Sequence, residues 1–280
     1  MKNTEDPSEG QAARNEQQIK DYLTANQLLD KVTSTGYGMH YIITPPAAAS
    51  AHGATLGEEV EFTYTLSYID GNKAIKIDSA TDAKPVYLPF LNGVVVAGLQ
   101  QALLLMKEGQ RGTFFMISDI AFGNDTRNGK MPAYSPVIFD VVLKRSRTED
   151  EQLEDYASIK KLPAYDFKTN SGIRIYRLTK GTGPKVQAGQ TVTVAYTANL
   201  LRGTTPFDKS DSLVVNLATG QYITGFSEGL RNLNVGDKAV LTFPSSVGYG
   251  MQGSYDQAKG LYIVPPYSPL AFEITVKSAK

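Results

Sequence analysis

Residues 225–243 read G-F-S-E-G-L-R-N-L-N-V-G-D-K-A-V-L-T-F, and residues 98–115 read G-L-Q-Q-A-L-L-L-M-K-E-G-Q-R-G-T-F-F. The two stretches match at a constant offset of 127. Each leads into further matched passages: A-F-G at 121–123 answers G-Y-G at 248–250, and M-P-A-Y-S-P-V-I-F-D at 131–140 answers V-P-P-Y-S-P-L-A-F-E at 264–273. A chain that repeats itself in this way encodes two copies of one domain. In each copy the apolar residues Leu99, Leu103 and Met106, or Phe226, Leu230 and Leu233, fall at i, i+4 and i+7, which predicts one short helix with a single apolar face.

Outward from that helix the pattern changes period. Val60 to Leu66 and Val192 to Tyr196 place apolar residues at every second position, so each predicts a strand with one buried and one wet face. Further strands are expected at Gly38 to Ile43, Gly172 to Leu178, Val137 to Leu143 and Leu270 to Val276. Several strands around one helix, without β-α-β alternation, argue for α+β units in which an antiparallel sheet packs on that helix. A helical leader is expected before each unit, at Ser8 to Val32 with Ile19, Tyr22, Leu23, Leu29 and Val32 as its stripe, and at Asp150 to Leu162, where Leu153 and Tyr156 repeat Ile19 and Tyr22 and Pro163 ends the helix. The expected organisation is a leader at 1–35, a domain at 36–147, a linker helix at 148–168 and a domain at 169–280.

The 280 residues suffice for two cores, and 28 basic residues against 28 acidic ones give no net charge, so neither nucleic acid nor an anionic membrane is favoured as a partner. The basic run Lys144 to Arg147 reads as a solvated segment between the domains. Without cysteine there is no disulfide, thiolate chemistry or cysteine-bound metal. Met1 to Gln18 is too polar for a signal peptide, no apolar run reaches the roughly 20 residues that span a bilayer, and the chain as given is expected to be soluble. Its two histidines, His40 and His52, have no counterparts in the second copy and read as structural or solvent-facing, which leaves no basis for a histidine triad or metal site. Gly181-Thr182-Gly183-Pro184 reads as a turn, since no helix follows it. No cofactor is implied.

What remains is aromatic: Tyr196, Phe207-Asp208, Tyr222-Ile223, Gly225-Phe226, Tyr249-Gly250, Val264-Pro265-Pro266 and Phe272, in that order. This set resembles the FKBP-type peptidyl-prolyl isomerase family, over each unit from its first strand to its last. The resemblance implies a curled antiparallel sheet wrapped on a short helix, with Phe226 as the floor of a substrate pocket, Tyr196, Phe207, Val264 and Phe272 as walls, and Asp208 on the polar side of the mouth. It further implies that the Tyr249 hydroxyl and the Ile223 N–H donate to carbonyls of a bound proline-containing or unfolded polypeptide. Leu213, at a wall position often aromatic, Tyr222, bulkier than the usual aliphatic residue, and a floor of Phe instead of Trp are departures from the family pattern. So is the long loop from Met251 to Ile263, which carries Tyr255 and Tyr262 and is expected to alter substrate choice.

The chemistry suits an inventory without nucleophile or acid–base pair. Rotating an X–Pro amide crosses a barrier on the order of 20 kcal/mol without breaking a bond, so a dry aromatic cavity with a few fixed donors can favour the twisted state. The first copy keeps Tyr64 and Phe139 but has Ile77 for Phe207, Leu99 for Phe226, Phe122 for Tyr249 and Met131-Pro132-Ala133 for Val264-Pro265-Pro266. It is therefore expected to be catalytically weak or silent, with a cavity enlarged or flattened. Three readings follow: an isomerase active in the second unit, a polypeptide-binding chaperone using both pockets, and an assembly protein joined through its leader helices. By resemblance, tandem units behind a helical leader suggest the bacterial cell envelope, with the cytoplasm as the alternative. Oligomeric state is open.

Overall fold

In the computed structural model, which describes residues 10–45, 48 and 50–280, the chain parts into two units at the bond between Arg147 and Thr148. The first contains α1 (Gln11–Ala25), β1 (Thr33–Ser34), β2 (Met39–Ile43), β3 (Glu59–Asp70), β4 (Lys73–Ala80), β5 (Val86–Pro89), α2 (Ala97–Leu104), β6 (Arg111–Met116) and β7 (Val137–Arg147). Its antiparallel sheet runs β1-β2-β6-β7-β3-β4, and β5 takes the stretch of the β3 edge that β4 leaves open.

The second contains α3 (Glu149–Ile159), β8 (Phe167–Lys168), β9 (Arg174–Thr179), β10 (Thr191–Leu200), β11 (Asp208–Asn216), α4 (Thr224–Leu230), β12 (Lys238–Phe243), β13 (Ser254–Asp256), β14 (Leu261–Val264) and β15 (Leu270–Ala279). Its sheet runs β11-β10-β15-β12-β9-β8, the same order strand for strand, while β13 and β14 form a separate two-stranded ribbon. Each unit is thus an α+β domain with one helix on the concave side of an antiparallel sheet. The apolar stripes of α2 and α4 are buried as their spacing predicts, with Met106 and Leu233 placed in the turn beyond each helix.

Four expectations need correction. The strands are wet on their second face only in part: Glu61, Thr65, Thr193 and Ala195 keep partial exposure there on β3 and β10, but the neighbouring strands are covered. Phe115, Ile117 and Ile138 are buried there under Ile19 and Leu23 of α1, while Phe114 and Phe139 face the opposite core. In the second unit Tyr156 of α3 packs on Tyr176, Val240 and Ala271. Ile19, Tyr22, Leu23 and Val32 of the leader stripe are therefore consumed within their own unit, which weakens the basis for assembly through it.

Helix α1 stops at Ala25, well short of Val32, because Asn26 donates from its side chain to the Tyr22 carbonyl at 2.9 Å and Gln27 adopts a left-handed φ of 56°. Leu29 is consequently exposed, and the expected start at Ser8 lies outside the described residues. Helix α3 likewise ends at Ile159 through a left-handed Lys161, before Pro163 is reached; it begins with a capping box between Thr148 and Glu151.

Lys144 to Arg147 is not a solvated linker but the end of β7. Arg147 is 4% exposed and pairs with Glu59 at 2.8 Å and Glu61 at 3.0 Å, carboxylates that the β3–β7 register brings alongside. A second buried arginine, Arg174, pins α3 through Asp150 at 3.2 Å and Glu154 at 3.6 Å. His40 bridges to Glu16 of α1 at 3.1 Å, which gives it a place in the packing of that helix.

Since Leu23 is fully buried beneath the first sheet, Leu23→Ala should lower unfolding stability by about 2–5 kcal/mol, the usual cost of such a cavity. Urea denaturation measures it, and a change near zero would mean that α1 does not pack where it is seen.

Candidate active site

The concave side of the second sheet collects rings from three elements and from the segments that join them. Tyr196 stands on β10 and Phe272 on β15, and Phe226 reaches them from α4, with ring centroids at 5.6 Å for Tyr196–Phe226, 6.0 Å for Tyr196–Phe272 and 5.4 Å for Phe226–Phe272. Phe207, just before β11, sits edge-on to Phe272 at 6.1 Å and to Tyr249 at 6.4 Å. Tyr222 tilts over Phe226 at 5.9 Å. All these separations lie in the range where aromatic rings attract one another beyond simple burial. The structure therefore brings together Tyr196, Phe207, Tyr222, Phe226, Tyr249 and Phe272, the rings of the ordered set seen in the sequence. It adds Phe243, fully buried and stacked on Phe272 at 5.4 Å, whose alternation along β12 was its only signal.

The remaining candidates surround this cluster differently. Leu213 lies opposite Val194 and packs on the core of the unit. Val264, expected as a wall, is wholly enclosed by that core. Ile223 is the N-cap residue of α4, and its N–H makes no hydrogen bond among the described residues, as suits one of the unpaired donors at a helix start. Asp208 is exposed and its carboxylate accepts the Tyr196 hydroxyl at 2.6 Å, which ties it to the rim of the ring cluster.

Burial, followed by the Asp208 carboxylate, pushes the Tyr196 hydroxyl well above the ordinary tyrosine range. The Tyr249 hydroxyl is pushed up as well, by burial first and then by the field of Asp208, and it makes no hydrogen bond among the described residues. Both phenols thus stay protonated around neutral pH, and only Tyr249 has a hydrogen to give.

Tyr249 sits in a turn fixed at Ser245, whose carbonyl accepts the N–H groups of Gly248 at 2.8 Å and Gly250 at 2.9 Å. The Glu149 carboxylate at the start of α3 accepts both the N–H and the hydroxyl of Ser245, each at 2.6 Å. Sequence reading missed this residue, since nothing local marks a partner 96 positions away. Beyond the turn, the expected long loop is the β13–β14 ribbon, with Tyr255 and Tyr262 in edge contact at 5.0 Å and both about half exposed.

The first unit repeats the frame and not the lining. Tyr64 donates to Asp78 at 2.8 Å, and burial, then Asp78, pushes its hydroxyl up to about 12. Phe122 and Phe139 lie 6.2 Å apart, but Leu99 stands at the floor and Phe122 has no hydroxyl. What remains is an open cavity of about 280 Å³ whose further walls are the aliphatic Val86, Leu88 and Val94 to Val96, with the Arg127 guanidinium 4.8 Å above the Phe122 ring. Among the described residues no group of three or more His, Asp or Glu is placed to hold a metal ion.

Against known proteins, the family model described as FKBP-type peptidyl-prolyl cis-trans isomerase matches residues 51–144 and again 183–277. Peptidyl-prolyl cis-trans isomerase FKBP9 of Rattus norvegicus is 25% identical over 225 residues, 79% of this chain and 35% of that protein, so the chain spans about a third of the relatives that match both units. An FK506-binding protein of Neisseria meningitidis serogroup B is 37% identical over 106 residues, 37% of this chain and 92% of that one. Among solved structures, a peptidyl-prolyl cis-trans isomerase from Pseudomonas syringae pv. tomato is 30% identical and covers 49% of this chain and 98% of its own, with a TM-score of 0.39.

Replacing Asp208 by Asn removes the carboxylate that holds the Tyr196 proton. The Tyr196 ionisation should then move down toward the ordinary tyrosine value without reaching it, because burial is the larger cause. Ring-carbon NMR of labelled tyrosine across alkaline pH reads this directly. An unmoved Tyr196 would contradict the hydrogen bond.

Proposed function

Because the chain belongs to the FKBP-type peptidyl-prolyl cis-trans isomerase family, we propose that it isomerises X–Pro bonds of polypeptides and that the second unit carries the activity. The observation that supports this most is the pairing, in the second unit, of a cluster of aromatic rings with a half-buried hydroxyl that has no hydrogen-bond partner among the described residues, Tyr249.

In this reading a proline ring lies against Phe226, between Tyr196, Phe207 and Phe272. The twisted amide gives up its resonance there, in a cavity from which water is excluded. Tyr249 donates from its hydroxyl and Ile223 from its backbone N–H to carbonyls of the bound peptide, and these donors act most on the state in which the carbonyl has left the amide plane. Asp208 keeps Tyr196 in place instead of touching substrate. Tyr222 and the exposed β13–β14 ribbon bear on which residues flanking the proline are accepted.

The first unit has no hydroxyl at Phe122 and no ring at Leu99, which supports weak catalysis or none. Its cavity of about 280 Å³ with aliphatic walls favours a second reading for that unit, a pocket that grips apolar segments of unfolded chains. The matching of both units to one family supports an origin by duplication with roles since divided. Tandem units behind a helical leader support a place in the cell envelope, which fractionation of the native protein tests.

Isomerisation of X–Pro peptides by the whole chain should fall roughly two- to tenfold with Tyr249→Phe, the worth of one hydrogen bond. It should nearly vanish when Phe226→Ala is added, and stay unchanged with Phe122→Ala. Equal losses from changes in the two units would overturn the division of roles. Leu99→Trp should fill the first cavity and weaken suppression of aggregation of an unfolded protein. If suppression is unaffected, the gripping role is lost.

A further inference from the structure

Ser245 is 4% exposed, so its N–H must find a partner inside the protein. The turn that it begins cannot supply one, because the turn uses the Ser245 carbonyl instead: Gly248 and Gly250 both donate to it, on either side of Tyr249. Glu149 meets the need, with one carboxylate oxygen on the Ser245 N–H and the other on its hydroxyl, both at 2.6 Å.

The first unit solves the same problem with different chemistry. Asn15 of α1, wholly buried, accepts the Ser118 N–H at 2.8 Å and donates to the Tyr134 carbonyl at 3.0 Å. Ser118 in turn accepts from Ala121 at 2.9 Å and Gly123 at 2.8 Å, which flank Phe122. Asn15 and Glu149 stand at equivalent positions, by the same offset that pairs Ile19 with Leu153 and Tyr22 with Tyr156, and two different residue types thus place an acceptor on the equivalent peptide group. Packing alone does not require that coincidence.

We propose that Glu149 is a positioning residue for the second pocket: through Ser245 it sets the turn that aims the Tyr249 hydroxyl, which makes α3 part of the isomerising apparatus. The hydrogen bonds of Glu149 go to Ser245 and not to the pocket rings. Its influence runs through two hydrogen bonds and a turn of six residues. The helix is itself secured by the Thr148–Glu151 capping box and by Arg174 on Asp150 and Glu154, so the carboxylate arrives already oriented. The inference rests on the assignment of the activity to the second unit.

Amide hydrogen exchange of the full chain, read by NMR, tests it alongside peptide isomerisation. In Glu149→Ala the amides of Ser245, Gly248 and Gly250 should exchange roughly tenfold faster or more, while those of β10 and β15 keep their protection. The isomerisation kcat should fall several-fold with little change in KM. Glu149→Gln should restore both, because its amide can accept the N–H with its oxygen and donate to the Ser245 hydroxyl with its nitrogen. Unchanged exchange at the turn, or a loosened turn with unchanged kcat, would overturn the proposal. An intact chain that isomerises no peptide would instead defeat the assignment of activity, while the exchange still reports on the grip of Glu149. Should Glu149→Ala not fold, Glu149→Asp, shorter by one methylene, is expected to loosen the turn in the same direction.

Discussion

Everything in each unit depends on how closely its short helix lies against the sheet. A Cβ placed on Gly225 would come within 2.5 Å of the Phe243 ring, and one on Gly98 within 2.5 Å of the Met116 sulfur and 2.9 Å of the Ile120 carbonyl. Only glycine permits that approach without displacing the Phe243 ring in one unit, or the Met116 side chain and the Ile120 carbonyl in the other. The residue after each glycine then stands at the base of the concave face, so the floor of the pocket is decided by one position, Leu99 or Phe226. The repeated glycine at the head of each matched stretch is a packing requirement before it is anything else.

The two units show what the frame demands and what it leaves open. Both retain a tyrosine bonded to an aspartate across the β3–β4 or β10–β11 pair. Both also retain a left-handed tyrosine, Tyr134 with φ 58° or Tyr267 with φ 54°, whose N–H closes the aromatic turn on Gly123 or Gly250. A strained torsion on a bulky residue persists only where its surroundings impose it. The lining, by contrast, has diverged: the first unit spends its additional strand β5 on an aliphatic wall, and the second spends its additional ribbon β13–β14 beside Tyr249.

The repeat, the period-two strands and the ring set could be read from the chain because each is encoded locally, within a few residues or by comparing one copy with the other. The covered part of the sheets' second face was signalled only by adjacent apolar residues such as Phe114-Phe115, which break the alternation expected of a strand wet on one side. Arg147 with Glu59 and Glu61, and Glu149 with Ser245, had no such signal. Their partners lie more than 80 residues away, and the β3–β7 register in one case and the packing of α3 in the other bring them together. Helix ends were misplaced for a different reason: Gln27 and Lys161 take left-handed torsions that their residue types do not advertise.

The strand order also bears on how the chain is made. β7 lies between β6 and β3, and β15 between β12 and β10, although each is the last element of its unit to be synthesised. On the ribosome the first sheet must wait with its centre missing until Val137–Arg147 emerge, since long-range strand pairing pays for loop closure before any contact is gained. Thr148 already opens the next unit. The first domain can therefore close only as the helix of the second leaves the exit tunnel, which sets a vectorial order, unit by unit, on its biogenesis.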